Sequence, residues 1–337
     1  TTSLAIGTIG CILFGVTKSW LLFLILFIFV KIAYSASLTF YDSMLVDVTT
    51  PERMDEVSSH GYAWGYIGSC IPFLIALIAY VMDEMLHVLD PGVARLIGCV
   101  VTAVWWFAVT IPLLKNYEQK HYVQHEAPPL IDSFSRVGQT LMDIVRKERK
   151  VFLFLVAFFM YIDGVGTIIN NAINIGTDLG LDTVGQVIVL LATQVVAFAF
   201  SLLFARLSRT YRTATLIMVC IAGYLAVSLY ALTLHSLWQF GIMAFGVGMF
   251  QGAIQALSRS YFSKIIPPEH AGEYFGIYDI FAKGASFLGS FAIALVKYAG
   301  GTINIAVATL AIFFILGFLF MWMADRVPDQ RENTLQQ

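Results

Sequence analysis

Ten apolar runs, most of them about as long as a membrane-spanning helix, constrain this chain more than any other feature. A spanning helix needs about 20 mostly apolar residues, because the hydrocarbon core is about 30 Å thick and each helical residue rises about 1.5 Å. The runs cover 1–16, 20–46, 57–81, 93–114, 151–175, 184–207, 213–234, 237–262, 272–298 and 303–324. Their apolarity is nearly continuous, with glycine and aromatics scattered through it, as suits helices buried among helices and lipid. The alternation of a transmembrane barrel is absent from the sequence. Composition agrees: 58% of residues are hydrophobic and 12% charged, where a soluble chain carries about 25% charge. These values exclude a soluble enzyme, a disordered chain and a basic nucleic-acid binder. Cys11, Cys70, Cys99 and Cys220 sit inside apolar runs and read as small core residues, not as a disulfide framework or a metal site. The first run starts at Thr1 without a methionine or a basic leader, which reads as a start inside a longer protein.

The charges that remain are sorted. Eleven flanks surround ten spans and alternate between two sides. One side holds Arg53, Lys115, Lys120, Arg136, Arg146, Lys147, Arg149, Lys150, Arg206, Arg209, Arg212, Arg259, Lys264, Arg326 and Arg331. The other holds Lys18, Lys297 and, at a helix edge, Arg95, together with Asp83, Glu84, Asp90, Asp178 and Asp182. The positive-inside rule makes the first side cytoplasmic. The expected location is therefore a membrane, most simply a bacterial cytoplasmic membrane, with the central loop and the C-terminus in the cytoplasm. Lys31 and Lys283 remain, and both sit within spans.

The longest polar stretch, 115–150, separates four spans (1–114) from six (151–325), and residues 326–337 form a tail. That stretch contains Pro128–Pro129 and a basic amphipathic end at 144–150, and reads as a cytoplasmic linker with a surface-lying helix. A repeat supports this division. Pro51-Glu52-Arg53-Met54-Asp55-Glu56 and Pro268-Glu269-His270-Ala271-Gly272-Glu273 both read P-E-x-x-x-E, 217 residues and six spans apart. Six-helix repeats joined by a central cytoplasmic loop are the layout of the major facilitator transporters. The offset puts the start of the first half about 66 residues ahead of Thr1, so two helices are expected to precede this sequence. The first span then occupies the place of helix 3 and the last that of helix 12.

In this register several segments resemble the vacuole-effluxer (Atg22-like) branch of that superfamily. They are Phe40-Tyr41-Asp42-Ser43-Met44-Leu45-Val46-Asp47, the run from Val57 through His60 and Trp64 to Gly68, Tyr161-Ile162-Asp163-Gly164-Val165-Gly166-Thr167, Gln255-Ala256-Leu257-Ser258-Arg259-Ser260, and Pro267-Pro268-Glu269. The resemblance covers the chain from about Ser35 to Asp325. It implies an all-α polytopic fold of two pseudo-symmetric bundles, a secondary transporter, and, through fungal members linked to amino-acid efflux from the vacuole, amino acids as a substrate class. Two departures stand out. Arg209 occupies the place where the superfamily's loop between helices 8 and 9 often carries Asp, and Lys31 stands where the family tends to have Asn.

Charges at mid-membrane cost at least about 2.5–3.5 kcal/mol each, so they face a cavity or a partner. The candidates for binding substrate or a coupling proton are Asp163, Lys31, Lys283 and Asp279, with Asn170, Asn174, Gln194, Gln251 and Gln255 as uncharged companions. Asp163 is the expected proton or amine site, and Lys31 or Lys283 the expected anion site. Asp279 and Lys283 stand i, i+4 and would also pair with each other. Gly164 and Gly166 would either loosen the helix beside Asp163 or allow a close helix contact there, with the asparagines capping the outer end. The repeat offset matches Asp42 with Arg259, and Arg206 and Arg209 would reach Asp47, Asp55 or Glu56. These residues form a candidate cytoplasmic gate, or else ordinary charge at wet helix ends. His121 and His125 stand i, i+4 in the linker but lack a third metal ligand, and His60 reads as a packed or water-bonded polar residue. No nucleophile elbow, P-loop or dinucleotide fingerprint occurs, so neither an enzyme nor a cofactor is expected. The expected partners are the lipid bilayer, a small solute and a coupling proton, with no nucleic acid, for a monomer. The competing expectation is a polytopic receptor or scaffold that binds a ligand without moving it.

Overall fold

The computed structural model describes residues 1–84, 86–121 and 130–328. They are helical with no strand. In chain order the helices are α1 (Thr2–Val16), α2 (Trp20–Ser43), α3 (Leu45–Val48), α4 (Met54–Glu84), α5 (Pro91–Asn116), α6 (Leu130–Lys147), α7 (Arg149–Asn170), α8 (Ala172–Asp178), α9 (Thr183–Leu207), α10 (Thr213–Tyr230), α11 (Leu237–Ile265), α12 (Ala271–Tyr298), α13 (Ile303–Ala308) and α14 (Ala311–Arg326). Nine segments among the described residues are long and apolar enough to cross a membrane. The tenth expected span is α1, whose 15 residues rise only about 22 Å.

Local chemistry explains the boundaries. Ser19, Asp90, Asp182, Ser236 and Thr302 cap α2, α5, α9, α11 and α13 by accepting from backbone N–H groups. Both copies of P-E-x-x-x-E behave alike. Pro51–Arg53 and Pro268–His270 form single 3₁₀ turns that lead into α4 and α12. The proline lacks an N–H and suits the first turn, where none is needed. Each motif ends on a glutamate in the first turn of the helix that follows, where the helix dipole favours negative charge. Gly180 and Gly300, with φ of 70° and 82°, supply the left-handed turns after α8 and α12.

Two expectations are corrected here. The span expected over 151–175 is divided: α7 stops at Asn170, and α8 follows Asn171. The last span, expected over 303–324, runs over Ile303–Arg326 and consists of α13 and α14 in succession. The amphipathic stretch 144–150 is split at Glu148, so its basic residues belong partly to α6 and partly to α7.

The described chain forms two compact units, Thr1–Val48 with Ile67–Lys120 and Thr49–Tyr66 with His121–Gln337. In the first unit α1 packs on α2 and α5. Glycines permit the approach: a Cβ on Gly7 would lie 2.2 Å from the Trp106 ring, and one on Gly10 would lie 2.2 Å from Val30. In the second unit α7 and α11 carry more buried residues than any other helix. An aromatic cluster of Phe154, Phe158, Tyr161, Phe262, Phe275 and Tyr278 fills the space between α7, α11 and α12, with the Phe158 and Tyr278 rings stacked at 4.0 Å. Gly317 of α14 rests on Tyr161, where a Cβ would come within 3.1 Å of the Tyr161 backbone nitrogen.

Candidate functional site

Asp163 lies 14 residues into α7, about 21 Å along its axis, and its side chain is 0% exposed. Neither carboxylate oxygen makes a hydrogen bond of ordinary geometry, although the Gly289 backbone N–H approaches the carboxylate. Thr167, one turn later, is also buried, and its hydroxyl is unpartnered. A threonine in an apolar helix ordinarily donates to the carbonyl one turn back, so this orphaned hydroxyl is unusual. Both groups face Gly289 of α12. A Cβ there would lie 2.2 Å from Thr167 Oγ1 and 3.1 Å from Asp163 Oδ2. Gly289 therefore lets the α12 backbone close over the two oxygens. Gly289→Ala is expected to destabilise the protein by about 1–3 kcal/mol, the usual cost of overpacking. Thr167→Ala in the same chain should recover part of that loss, and thermal unfolding of the single and double variants checks it.

The helix beside Asp163 is not loosened. α7 runs unbroken through Gly164 and Gly166. Gly164 instead faces the Phe314 ring, which a Cβ would meet at 2.6 Å, so it serves a close helix contact. The break falls at Asn171, whose Nδ2 donates to the Thr167 carbonyl at 3.0 Å and toward Ser290 Oγ at 3.4 Å. Asn170 and Asn174 are both exposed, and Asn174 donates to Asn171 Oδ1 at 3.5 Å. They do not continue one helix face, because the chain turns between them.

The other candidates are placed as follows. Lys31 is exposed in the middle of α2, and its ammonium stands 5.6 Å from the Tyr34 ring centre. Lys283 donates to Asp279 within α12, so that pair is locally neutral. Gln194 is half-buried on α9, and Gln251 is buried on α11. Gln255 donates to the Tyr66 hydroxyl at 3.2 Å.

A polar cluster joins residues 55–66 to α10 and α11 within the second unit. Asp55 is 4% exposed. Its carboxylate accepts from Ser260 Oγ at 2.5 Å, Thr213 Oγ1 at 2.6 Å and Lys264 Nζ at 2.7 Å. Arg259 is 3% exposed. It donates through Nε to Ser58 Oγ at 3.0 Å and lies over the Tyr62 ring, and Ser58 donates to the Ala256 carbonyl at 2.7 Å. Arg209 donates to Glu56 at 2.5 Å. Deeper in the same unit, Tyr161 and Ser258 share a buried hydrogen bond of 2.6 Å.

The remaining gate candidates each stand within one unit. Arg206 is exposed at the end of α9, and Asp42 is half-buried on α2. Asp47, in the first unit, accepts from the Tyr117 hydroxyl at 2.5 Å and from the Lys120 backbone at 3.2 Å. Burial and the neighbouring Asp47 carboxylate push the Tyr117 phenol well above its ordinary range, so it remains a donor. Among the described residues, no cluster of three His, Cys, Asp or Glu could hold a metal. His60 is exposed, and His125, Pro128, Pro129 and Arg331 lie outside the described residues.

This arrangement of long apolar helices with a few buried polar centres invites comparison with known proteins. The family model described as vacuole effluxer, Atg22-like, matches residues 46–333. The chain belongs to that family. An MFS-type transporter of Bacillus subtilis, YxiO, described as uncharacterized, is 38% identical over 336 residues, covering 99% of this chain and 78% of its own. Autophagy-related protein 22-1 of Aspergillus niger is 26% identical over 310 residues, and the match covers 82% of this chain and 48% of the fungal protein. The chain thus spans about half the length of such fungal relatives. Among solved structures, the transporter FucP in its outward conformation superposes with a TM-score of 0.67 at 14% identity, covering 97% of this chain and 82% of FucP. Human MFSD10 gives 0.63 at 13% identity, covering 95% of this chain and 75% of MFSD10. The family and its fold make this an integral membrane protein of the major facilitator type.

Proposed function

We propose that the protein is a secondary active transporter that moves a small polar solute across its membrane by alternating access. The observation that carries this reading is the Asp163 carboxylate, fully buried in a membrane span with neither oxygen in a hydrogen bond of ordinary geometry. A poorly partnered buried charge of that kind is costly, which suits a group that exchanges a proton for a cationic ligand. Lys31 supports the same reading, as an exposed ammonium halfway along a membrane helix that suits an anionic group of the solute. Asp163 then serves a coupling proton or the solute's amine, and the two charge types together favour a zwitterion such as an amino acid. The cluster of Asp55, Glu56, Ser58, Arg209, Arg259 and Lys264 acts as the gate, on the cytoplasmic side by the distribution of basic residues. Asp42, Asp47 and Arg206 are further gate candidates. No catalytic step and no cofactor enters this scheme.

Counterflow of radiolabelled amino acids in proteoliposomes is the direct test. A transporter accumulates label against a preloaded pool. A receptor or scaffold binds without accumulation, shows only a thermal shift that grows with the logarithm of ligand excess, and defeats the proposal. Lys31→Gln should weaken the apparent affinity for an anionic or zwitterionic solute about ten- to hundredfold, the worth of one hydrogen bond to a charged group. It should leave the unfolding temperature unchanged. A variant that transports like the parent removes Lys31 from the site.

A further inference from the structure

A helix outside the transport machinery carries a second surface. α6 lies against α7 and α12. On the face turned to them Ile144 is fully buried, Thr140 donates to Glu273 Oε2 at 3.1 Å, and Arg136 pairs with Glu273 at 3.8 Å. The opposite face holds Leu141, Met142 and Val145, which are 38%, 49% and 48% exposed. Their spacing of i, i+1 and i+4 makes one apolar stripe. Basic residues follow directly. Arg146 and Arg149 are exposed, and Lys147 pairs with Asp143 one turn back at 2.7 Å. Only Glu148 separates α6 from the membrane-spanning α7. The stripe therefore ends within about one or two helical turns, roughly 5–10 Å, of the membrane boundary.

We infer that this face of α6 docks on the bilayer itself, with Leu141, Met142 and Val145 inserted at the acyl boundary and Arg146 and Arg149 on anionic phospholipid headgroups. Two observations select this occupant. An apolar stripe bordered by arginines is the pattern of interfacial helices, and a basic cluster beside a spanning helix attracts anionic lipid. The stripe also lies next to the start of a membrane span, since α7 begins where α6 stops. The consequence is regulatory. Glu273, held by α6, sits in the first turn of α12, so lipid that orders α6 also steadies that helix end.

The test is amide hydrogen exchange on the whole protein in nanodiscs of phosphatidylcholine alone and of phosphatidylcholine mixed with phosphatidylglycerol. Exchange across 138–147 should slow in the anionic discs by up to about thirtyfold, from roughly fivefold per basic residue near an anionic surface. R146E/R149E should abolish the difference between the two lipids. L141S/M142S/V145S should raise exchange in both. Inorganic phosphate added to the phosphatidylcholine discs should reproduce none of the protection, which separates headgroups in a surface from a free anion. Equal exchange in the two lipids, an unaltered lipid difference in R146E/R149E, or protection by free phosphate alone would each overturn the inference. So would protection that appears only on addition of a second protein.

Discussion

Asp163→Asn should cut gradient-driven transport about ten- to hundredfold while leaving the protein as stable as its parent. The substitution keeps side-chain volume and removes only the capacity to alternate between a neutral and a charged form. The magnitude is that of one hydrogen bond to a charged group, about 1.5–3 kcal/mol. The stability half of the prediction rests on the poorly partnered oxygens. A group with no hydrogen bond of ordinary geometry loses little when it is replaced, and the amide oxygen of the variant can still accept from the Gly289 N–H, so the unfolding temperature should hold for Asp163→Asn. Asp163→Leu should hold or raise it, because a poorly partnered polar group leaves the core. Normal transport by Asp163→Asn in proteoliposomes would remove this residue from the mechanism. A large fall in unfolding temperature would show that the carboxylate is a structural partner after all.

The opposite pattern is expected of Asp55. Three donors converge on its carboxylate, and Asp55→Ala strips the acceptor from all of them. Removing one partner of a buried ion pair costs about 3–5 kcal/mol. The Lys264 side chain is 26% exposed and regains some hydration, so the expected loss is about 3 kcal/mol, the lower end of that range. Lys264→Met should destabilise as a single variant and add little on top of Asp55→Ala, which a double-mutant cycle measures as a coupling energy. If the cluster is the gate, hydrogen exchange over 54–66 should quicken in Asp55→Ala. Additive effects of the two substitutions would show that the ion pair carries no coupling.

What the sequence revealed follows from how each feature is encoded. The spans were legible because hydrophobic thickness demands a length of apolar residues that no soluble element needs. Pro51 and Pro268 were legible because a proline that opens a helix does so by local geometry. Asp163 stood out as a carboxylate in an apolar run. Thr167, one turn along, did not, since a threonine there is usually satisfied by its own helix. Its importance appears only when Gly289, 122 residues later, is seen against it. The partners of Asp55 lie 158, 205 and 209 residues away, and two of the three are Thr and Ser, which apolar helices carry everywhere. Arg209 pairs with Glu56 near the start of α4, and the sequence offered Asp47, Asp55 and Glu56 alike as acids at that end of the spans. The break at Asn171 was not legible, and of the two readings of the glycines, a loosened helix or a close contact, Gly164 makes the contact. A glycine in a membrane helix marks a close neighbour as often as a weak point, and Phe314, the neighbour in question, lies on α14.

The division of α4 between the two compact units has a practical consequence for anyone who dissects this molecule. Residues 54–66 belong with the later helices and residues 67–84 with the earlier ones, although one uninterrupted helix contains both. Cutting the chain in its central linker would therefore not yield two self-sufficient fragments. A piece beginning after the linker would keep Arg259, Ser260 and Lys264 but leave behind the residues they hold, Asp55 and Ser58. Such a fragment should be rescued by supplying the earlier part of the chain in trans, with the first turns of α4 acting as the complementing peptide.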